Sequence, residues 1–122
     1  MGQKHILLVE DEPGFRNSLR MALQGEGYRL DVAAIMAEAK DFLASAQYAL
    51  VIADWQLPDG DGTVILEWAA QLGAKTVLVS GYLSQMPGGR SFAHETLTKP
   101  LRLREMVSLV ERAIGKAVDL SC

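Results

Sequence analysis

Three short runs in this 122-residue chain, residues 4–9 (KHILLV), 49–53 (ALVIA) and 76–80 (TVLVS), are apolar at nearly every position. A strand with one wet face alternates apolar and polar side chains, because successive residues point to opposite sides of the sheet. A run without alternation needs cover on both faces. Two further runs, residues 28–32 (YRLDV) and 95–98 (ETLT), complete five predicted strands. Between them lie apolar stripes at helical spacing. They run through Phe15, Leu19, Ala22 and Leu23, more weakly through Met36, Ala39 and Leu43, then through Ile65, Trp68, Ala69 and Leu72, and last through Leu103, Met106, Val107, Val110 and Ile114. Pro13 suits the first turn of the first helix, and Gly25 and Gly27 its exit. The alternation predicts one domain over residues 1–122: an open, doubly wound α/β sandwich, a parallel sheet with helices on both faces. Met21, Met36 and Met106 are read as packing residues, and the last residues, KAVDLSC, as a frayed end.

Composition removes several function classes. Twelve basic residues against fifteen acidic ones leave a formal charge of −3 with no Lys/Arg cluster, so neither direct nucleic-acid binding nor anionic-membrane binding is expected. The single cysteine, Cys122, forms no internal disulfide, zinc cluster or papain-like thiol site. The opening MGQKHILLVEDE has its apolar stretch cut short by three acids, so no secretory signal or membrane insertion is expected and the protein is placed in the cytoplasm. A myristoylation motif fails because Ile6 stands where Ser or Thr is required.

The chemistry gathers where strands end. In open α/β sheets, ligands bind beyond the carboxyl ends of the strands. Those ends carry Glu10, Asp11 and Glu12 after the first strand, Asp54 after the third, Ser80 after the fourth and Lys99 after the fifth. Crowded carboxylates repel and resist desolvation unless a positive charge joins them. An oxygen-rich site without sulfur or imidazole suits a hard cation such as Mg²⁺, held between Asp11 and Asp54 with coordination room left for a phosphoryl group. Asp54 then reads as a nucleophile that takes a phosphoryl group as an acyl phosphate. Lys99 and the metal would neutralise the transferred oxygens, and Ser80 would donate a hydrogen bond to them.

The segments ILLVEDE, LVIADWQLPDGDG, VLVSGY and LTKP resemble, in order and spacing, the receiver domain of bacterial two-component response regulators, over essentially the whole chain. The resemblance implies a flavodoxin-like, five-stranded parallel sheet in the order 2-1-3-4-5. It implies that Asp54 is the phosphoacceptor and that Asp11 binds Mg²⁺, aided by Glu10 directly or through water. The main-chain carbonyl of Gln56 would complete the metal shell, Ser80 would be the switch hydroxyl, and Lys99, before a cis Pro100, would contact phosphate. The implied partners are a sensor histidine kinase or a phosphotransfer protein as phosphohistidine donor, an output protein or domain, and a second copy in a homodimer. Such a domain catalyses only its own phosphorylation and dephosphorylation. It occurs as a stand-alone regulator, within a longer one, or at the C-terminus of a hybrid kinase.

Two departures stand out. Receivers carry an aromatic switch residue three places before the lysine; Thr96 stands there, after Phe92 and Ala93. Lys99 follows Ser80 by nineteen positions, fewer than usual, and the stretch contains MPGGR, so Pro87, Gly88 and Gly89 predict a short or irregular helix between the fourth and fifth strands. Tyr82, in the SGY stretch, is the candidate to replace the missing aromatic.

Blander readings of the same residues stand beside these. Acids after the first strand favour a helix N-terminus in any protein. Asp59 and Asp61 read as turn residues, and an EF-hand fails because its first and last places fall on Leu57 and Trp68. His5 and His94 have no ligand-spaced partners and are expected at the surface or a strand edge. Trp55 is either a rim residue limiting water access or an exposed aromatic. A haloacid-dehalogenase-like phosphotransferase needs a second Asp where Gln56 stands. A flavin-binding module needs a hydroxyl-rich loop in place of the acids. A degenerate receiver used only for protein docking is the remaining alternative.

Overall fold

The computed structural model describes residues 4–81 and 94–117. Five parallel strands form one sheet: β1 (His5–Val9), β2 (Arg29–Ala33), β3 (Leu50–Asp54), β6 (Lys75–Ser80) and β7 (Glu95–Thr98), in the spatial order β2-β1-β3-β6-β7. Counting only these five, the order is the expected 2-1-3-4-5. Four helices join the described strands or follow them: α1 (Pro13–Gly25), α2 (Met36–Ser45), α3 (Gly62–Gln71) and α4 (Leu103–Ile114). The expected helix between β6 and β7, with Tyr82, Phe92 and Ala93, lies outside the described residues, as does Cys122.

The unbroken apolar runs are explained by cover on both sides. In β1, Ile6 and Leu8 pack with α1 and α4, while Leu7 and Val9 pack with α2 and α3; all four are buried. β3 divides likewise, with Leu50 and Ile52 on the first side and Val51 and Ala53 on the second. The core is therefore two layers separated by the sheet. Met36 and Met106 are buried as expected, but Met21 is 66% exposed. It lies two residues from Leu19 and Leu23, half a turn away from the stripe they define. Leu72 and Leu103, also assigned to stripes, sit at the ends of α3 and α4 and are 56% and 39% exposed.

Helix ends are satisfied by side chains. Glu12 caps α1 through Gly14 and Phe15, and Asp61 caps α3 through Thr63. α2 starts after Ile35, which has no side-chain oxygen to offer; Asp59 supplies both of its own, accepting from Met36 N (2.8 Å) and Ala37 N (3.1 Å). At the C-terminal end of α4, Lys4 donates to the carbonyls of Ile114 and Lys116, and Tyr28 donates to that of Gly115. A small antiparallel pair, β4 (Gln56–Leu57) and β5 (Gly60–Asp61), follows β3 and was not expected from the sequence. Among the described residues, no helix is long and apolar enough to cross a membrane.

The histidines differ from expectation in one case. His5 is half-buried: its Nε2 lies 2.7 Å from Asp31 Oδ2, without hydrogen-bond alignment, and its ring packs against Tyr48, which donates to the same carboxylate oxygen. The partner comes from the neighbouring strand, which sequence spacing does not reveal. His94 does precede the edge strand β7, sharing a 2.6 Å hydrogen bond with Thr76.

Candidate functional site

The ends of β1, β3, β6 and β7 lie at one edge of the sheet, and those of β1, β3 and β7 bring Glu10, Asp11, Asp54 and Lys99 together. Asp54 is the last residue of β3, paired in register with Val79, rather than the first residue beyond the strand. Its backbone is thus held by a central strand, and the residue is 9% exposed. Carboxylate oxygens of Glu10, Asp11 and Asp54 all lie within 4.8 Å of one another. Lys99 reaches into this cup, its Nζ 2.9 Å from Asp54 Oδ2 and 3.0 Å from Glu10 Oε1. Lys99 N donates to the carbonyl of Ser80, which ends β6 and is buried, and the Lys99–Pro100 bond is cis. Gln56 opens β4 two residues beyond Asp54 and is exposed.

The three acids after β1 have three different situations. Glu10 turns inward, 2% exposed, with Oε2 accepting from Glu12 N at 3.0 Å. Asp11 is exposed at the mouth of the cup. Glu12 turns away to cap α1, so helix capping accounts for this acid alone. Asp59 and Asp61 cap helices and do not join the cup, in keeping with their reading as turn residues. Trp55, half-buried, packs against the core layer under α2 and α3.

Burial governs the electrostatics. Desolvation pushes the carboxyls of Glu10 and Asp54 above their ordinary values, more than hydrogen bonds and the charge of Lys99 pull them down. Burial by itself lowers the Lys99 ammonium, but hydrogen bonds to Asp54 and Glu10 outweigh it and the net direction is upward. One lysine is therefore fully engaged while two buried carboxylates remain undercompensated. That donor set fits a hard divalent cation: three carboxylates, no thiolate and no imidazole.

Close packing holds the cup together. Gly62 N donates to the carbonyl of Trp55 at 2.7 Å, and a Cβ at Gly62 would collide with the main-chain carbonyl of Asp54. Two contributors were not visible in the sequence. The ring of Phe15 lies 5.1 Å from Lys99 Nζ, a cation–π contact. Arg16 Nη1 donates to the carbonyls of Glu10 (3.0 Å) and Asp11 (3.4 Å). Phe15 belongs to the core stripe of α1 and Arg16 lies beside it, so periodicity reads the one as packing and the other as surface.

Residues 6–111 match the family model for the response regulator receiver domain. The chain belongs to this family. Curated relatives of this receiver include the transcriptional regulatory protein PmrA of Pectobacterium parmentieri, 34% identical over 91% of this chain, and TorR of Escherichia coli K12, 28% identical over 96%. The alignments cover 52% of each, so the chain spans about half the length of the curated relatives it matches. Among solved structures, a CheY-like receiver domain protein from Methanospirillum hungatei superposes with a TM-score of 0.86 at 29% identity, covering 93% of this chain and 94% of that one. TrrA of Thermotoga maritima, solved in complex with Mg²⁺-BeF, gives 0.80 at 32% identity, covering 90% and 98%.

Proposed function

We propose that this receiver takes a phosphoryl group onto Asp54 from a phosphohistidine, in a Mg²⁺-dependent reaction, and passes the signal through altered partner contacts. The observation that carries this reading is the convergence of Glu10, Asp11, Asp54 and Lys99 from three separate strand ends into one cup. It is supported by TrrA, 32% identical, whose structure holds magnesium with beryllium fluoride, a mimic of a phosphoryl group.

Asp11, Asp54 and the Gln56 carbonyl would hold the metal, with Glu10 acting directly or through water. Bound there, Mg²⁺ supplies charge neutralisation for the phosphoryl oxygens. The chain's own residues do the rest. A carboxylate oxygen of Asp54 attacks phosphorus, the P–N bond breaks, and the histidine nitrogen keeps the electron pair and takes a proton from solvent. Lys99, held beside Asp54, offsets the negative charge on the transferred oxygens, and Ser80 donates to them. Burial raises the Asp54 carboxyl above its ordinary value, and the hydrogen bond and charge of Lys99 pull it back toward the ionised form.

The donor is a sensor histidine kinase or a phosphotransfer protein. The output is another domain or protein, as expected of a chain matching about half of longer transcriptional regulators. We place the reaction in the cytoplasm. The test is incubation of the purified chain with Mg²⁺ and acetyl phosphate, followed by mass spectrometry. One added phosphoryl group, absent in Asp54→Asn and without Mg²⁺, supports the reading. No adduct under any condition leaves a docking module without phosphotransfer chemistry.

A further inference from the structure

The loop between β1 and α1 has to aim two carboxylates, Glu10 and Asp11, yet its main chain has few internal hydrogen bonds. Glu10 N donates to Ala33 O, which fixes the start of the loop on β2. Pro13 has no N–H to give, and the N–H groups of Gly14 and Phe15 are taken by the Glu12 side chain. The helical ladder begins with Arg16 N donating to Glu12 O. Among the described residues, no backbone N–H reaches the carbonyls of Glu10 or Asp11. One side chain does: Arg16 Nη1 donates to both, at 3.0 and 3.4 Å.

We propose that Arg16 is a positioning residue of the metal cup, its guanidinium clasping the carbonyls of Glu10 and Asp11 and so setting the direction of their carboxylates. The inference rests on the metal-site reading above. α1 is a rigid base for such a clasp, since Leu19 and Leu23 on the same helix are buried. The guanidinium is planar and carries several fixed donors, so one group can serve two acceptors that diverge along the chain. With the clasp gone, the Glu10–Asp11 peptide can rotate, and both side chains lose their aim.

Charge and geometry predict opposite outcomes, which makes the proposal testable. A cation near the cup repels another, so if Arg16 acted by charge alone, its removal would tighten Mg²⁺ binding. If it acts by positioning, removal weakens it, by about tenfold or more, as when groups that orient metal ligands are lost. The experiment is Mg²⁺ titration by calorimetry on the full chain, for wild type, Arg16→Ala, Arg16→Gln and Arg16→Lys, with thermal unfolding in EDTA run in parallel. The expected result is weaker binding in Arg16→Ala and Arg16→Gln, partial recovery in Arg16→Lys, and unfolding in EDTA close to wild type. Should Arg16→Ala fail to fold, the Gln and Lys variants carry the comparison. Binding that is unchanged or tighter in the Gln variant overturns the proposal and leaves the metal site standing. Failure of wild type itself to take up Mg²⁺ brings down the metal-site reading and this inference with it.

Discussion

The same substitution at two glycines should have opposite signs, and the reason is packing behind Asp54. Gly62 is the first residue of α3, and its own torsions are ordinary for any residue. An alanine Cβ there would overlap the Asp54 carbonyl oxygen, lie 2.9 Å from its carbon and touch Trp55 O at 3.4 Å. None of these is the flexible end of a side chain. Asp54 is paired with Val79, Trp55 N is bonded to Val79 O at 2.9 Å, and Gly62 N to Trp55 O at 2.7 Å, so relief requires the main chain to shift. Forced overpacking costs about 1–3 kcal/mol, against which alanine's better helix propensity returns less than about 1 kcal/mol at a helix start. The net loss is about 1–2 kcal/mol, with Tm falling roughly 3–6 °C per kcal/mol at this length. Because the displaced atoms are those of the proposed phosphoacceptor, phosphoryl uptake from acetyl phosphate should also slow, by about tenfold to a hundredfold. Gly25, the last residue of α1, has open space around its missing Cβ, so Gly25→Ala should be stabilising by a few tenths up to about 1 kcal/mol and leave uptake alone. Urea unfolding and a timed mass-spectrometric uptake assay measure both quantities. A Gly62→Ala protein as stable as wild type and equally fast would refute the claim that close approach fixes this residue.

Three further outcomes follow from the geometry. Lys99→Met removes the ammonium shared by Glu10 and Asp54, so calorimetry should find Mg²⁺ bound more tightly, by about tenfold, while phosphoryl uptake falls. His94 is pushed below its ordinary 6.5 by burial, with the charge of Glu67 opposing. The unfolded chain therefore binds a proton first as pH falls, so His94's share of stability is full above 6.5 and is lost as pH drops from there through the lower folded value. Urea unfolding of wild type and His94→Asn, at about pH 7.5 and about pH 5.5, should show a smaller acid loss in the variant, which retains a partner for Thr76. Asp59→Ala should free the first turn of α2, read as faster hydrogen exchange at the amides of Met36 and Ala37 but not in α1.

What could be read from the sequence was what periodicity and strand-end position encode. Runs such as Ile6 to Val9 announced burial on both faces, and Asp54 stood out because an acid terminated one of them. Long-range hydrogen bonding was hidden. Asp59 caps a helix that begins 23 residues earlier, and Asp31 meets His5 and Tyr48 only because β1 and β2 lie side by side. The pair β4 and β5 escaped notice because each strand has two residues, and Leu57 is the only buried side chain in them. Hydrophobic identity alone does not place Met21, because its angle on α1 turns it away from the core. Arg16 is not legible as a site residue because a helix that packs the core with one face turns another toward the cup, and Phe15 is not because its place in the core stripe already accounts for it.

The charge balance of the cup narrows what it can accept. Glu10, Asp11 and Asp54 bring three carboxylates, and among the described residues Lys99 is the one ammonium bonded to them. Were all ionised, two negative charges would stand uncompensated among the described residues in a partly desolvated space; burial first, and the neighbouring carboxylate after it, displace Glu10 and Asp54 upward. A monovalent cation leaves one of those charges, whereas a divalent one removes both. Lys99 contacts Glu10 and Asp54 and has no bond to Asp11 among the described residues, so the side of the cup still open to a cation is the exposed one, where Asp11 stands. On the proposed reading, a phosphoryl group would add negative charge beside Asp54, which neither a lysine already shared between two carboxylates nor a neutral serine could offset alone. In the proposed reaction Mg²⁺ and phosphoryl group would thus be linked by electrostatics: the acids that create the need for the first would make the second difficult without it.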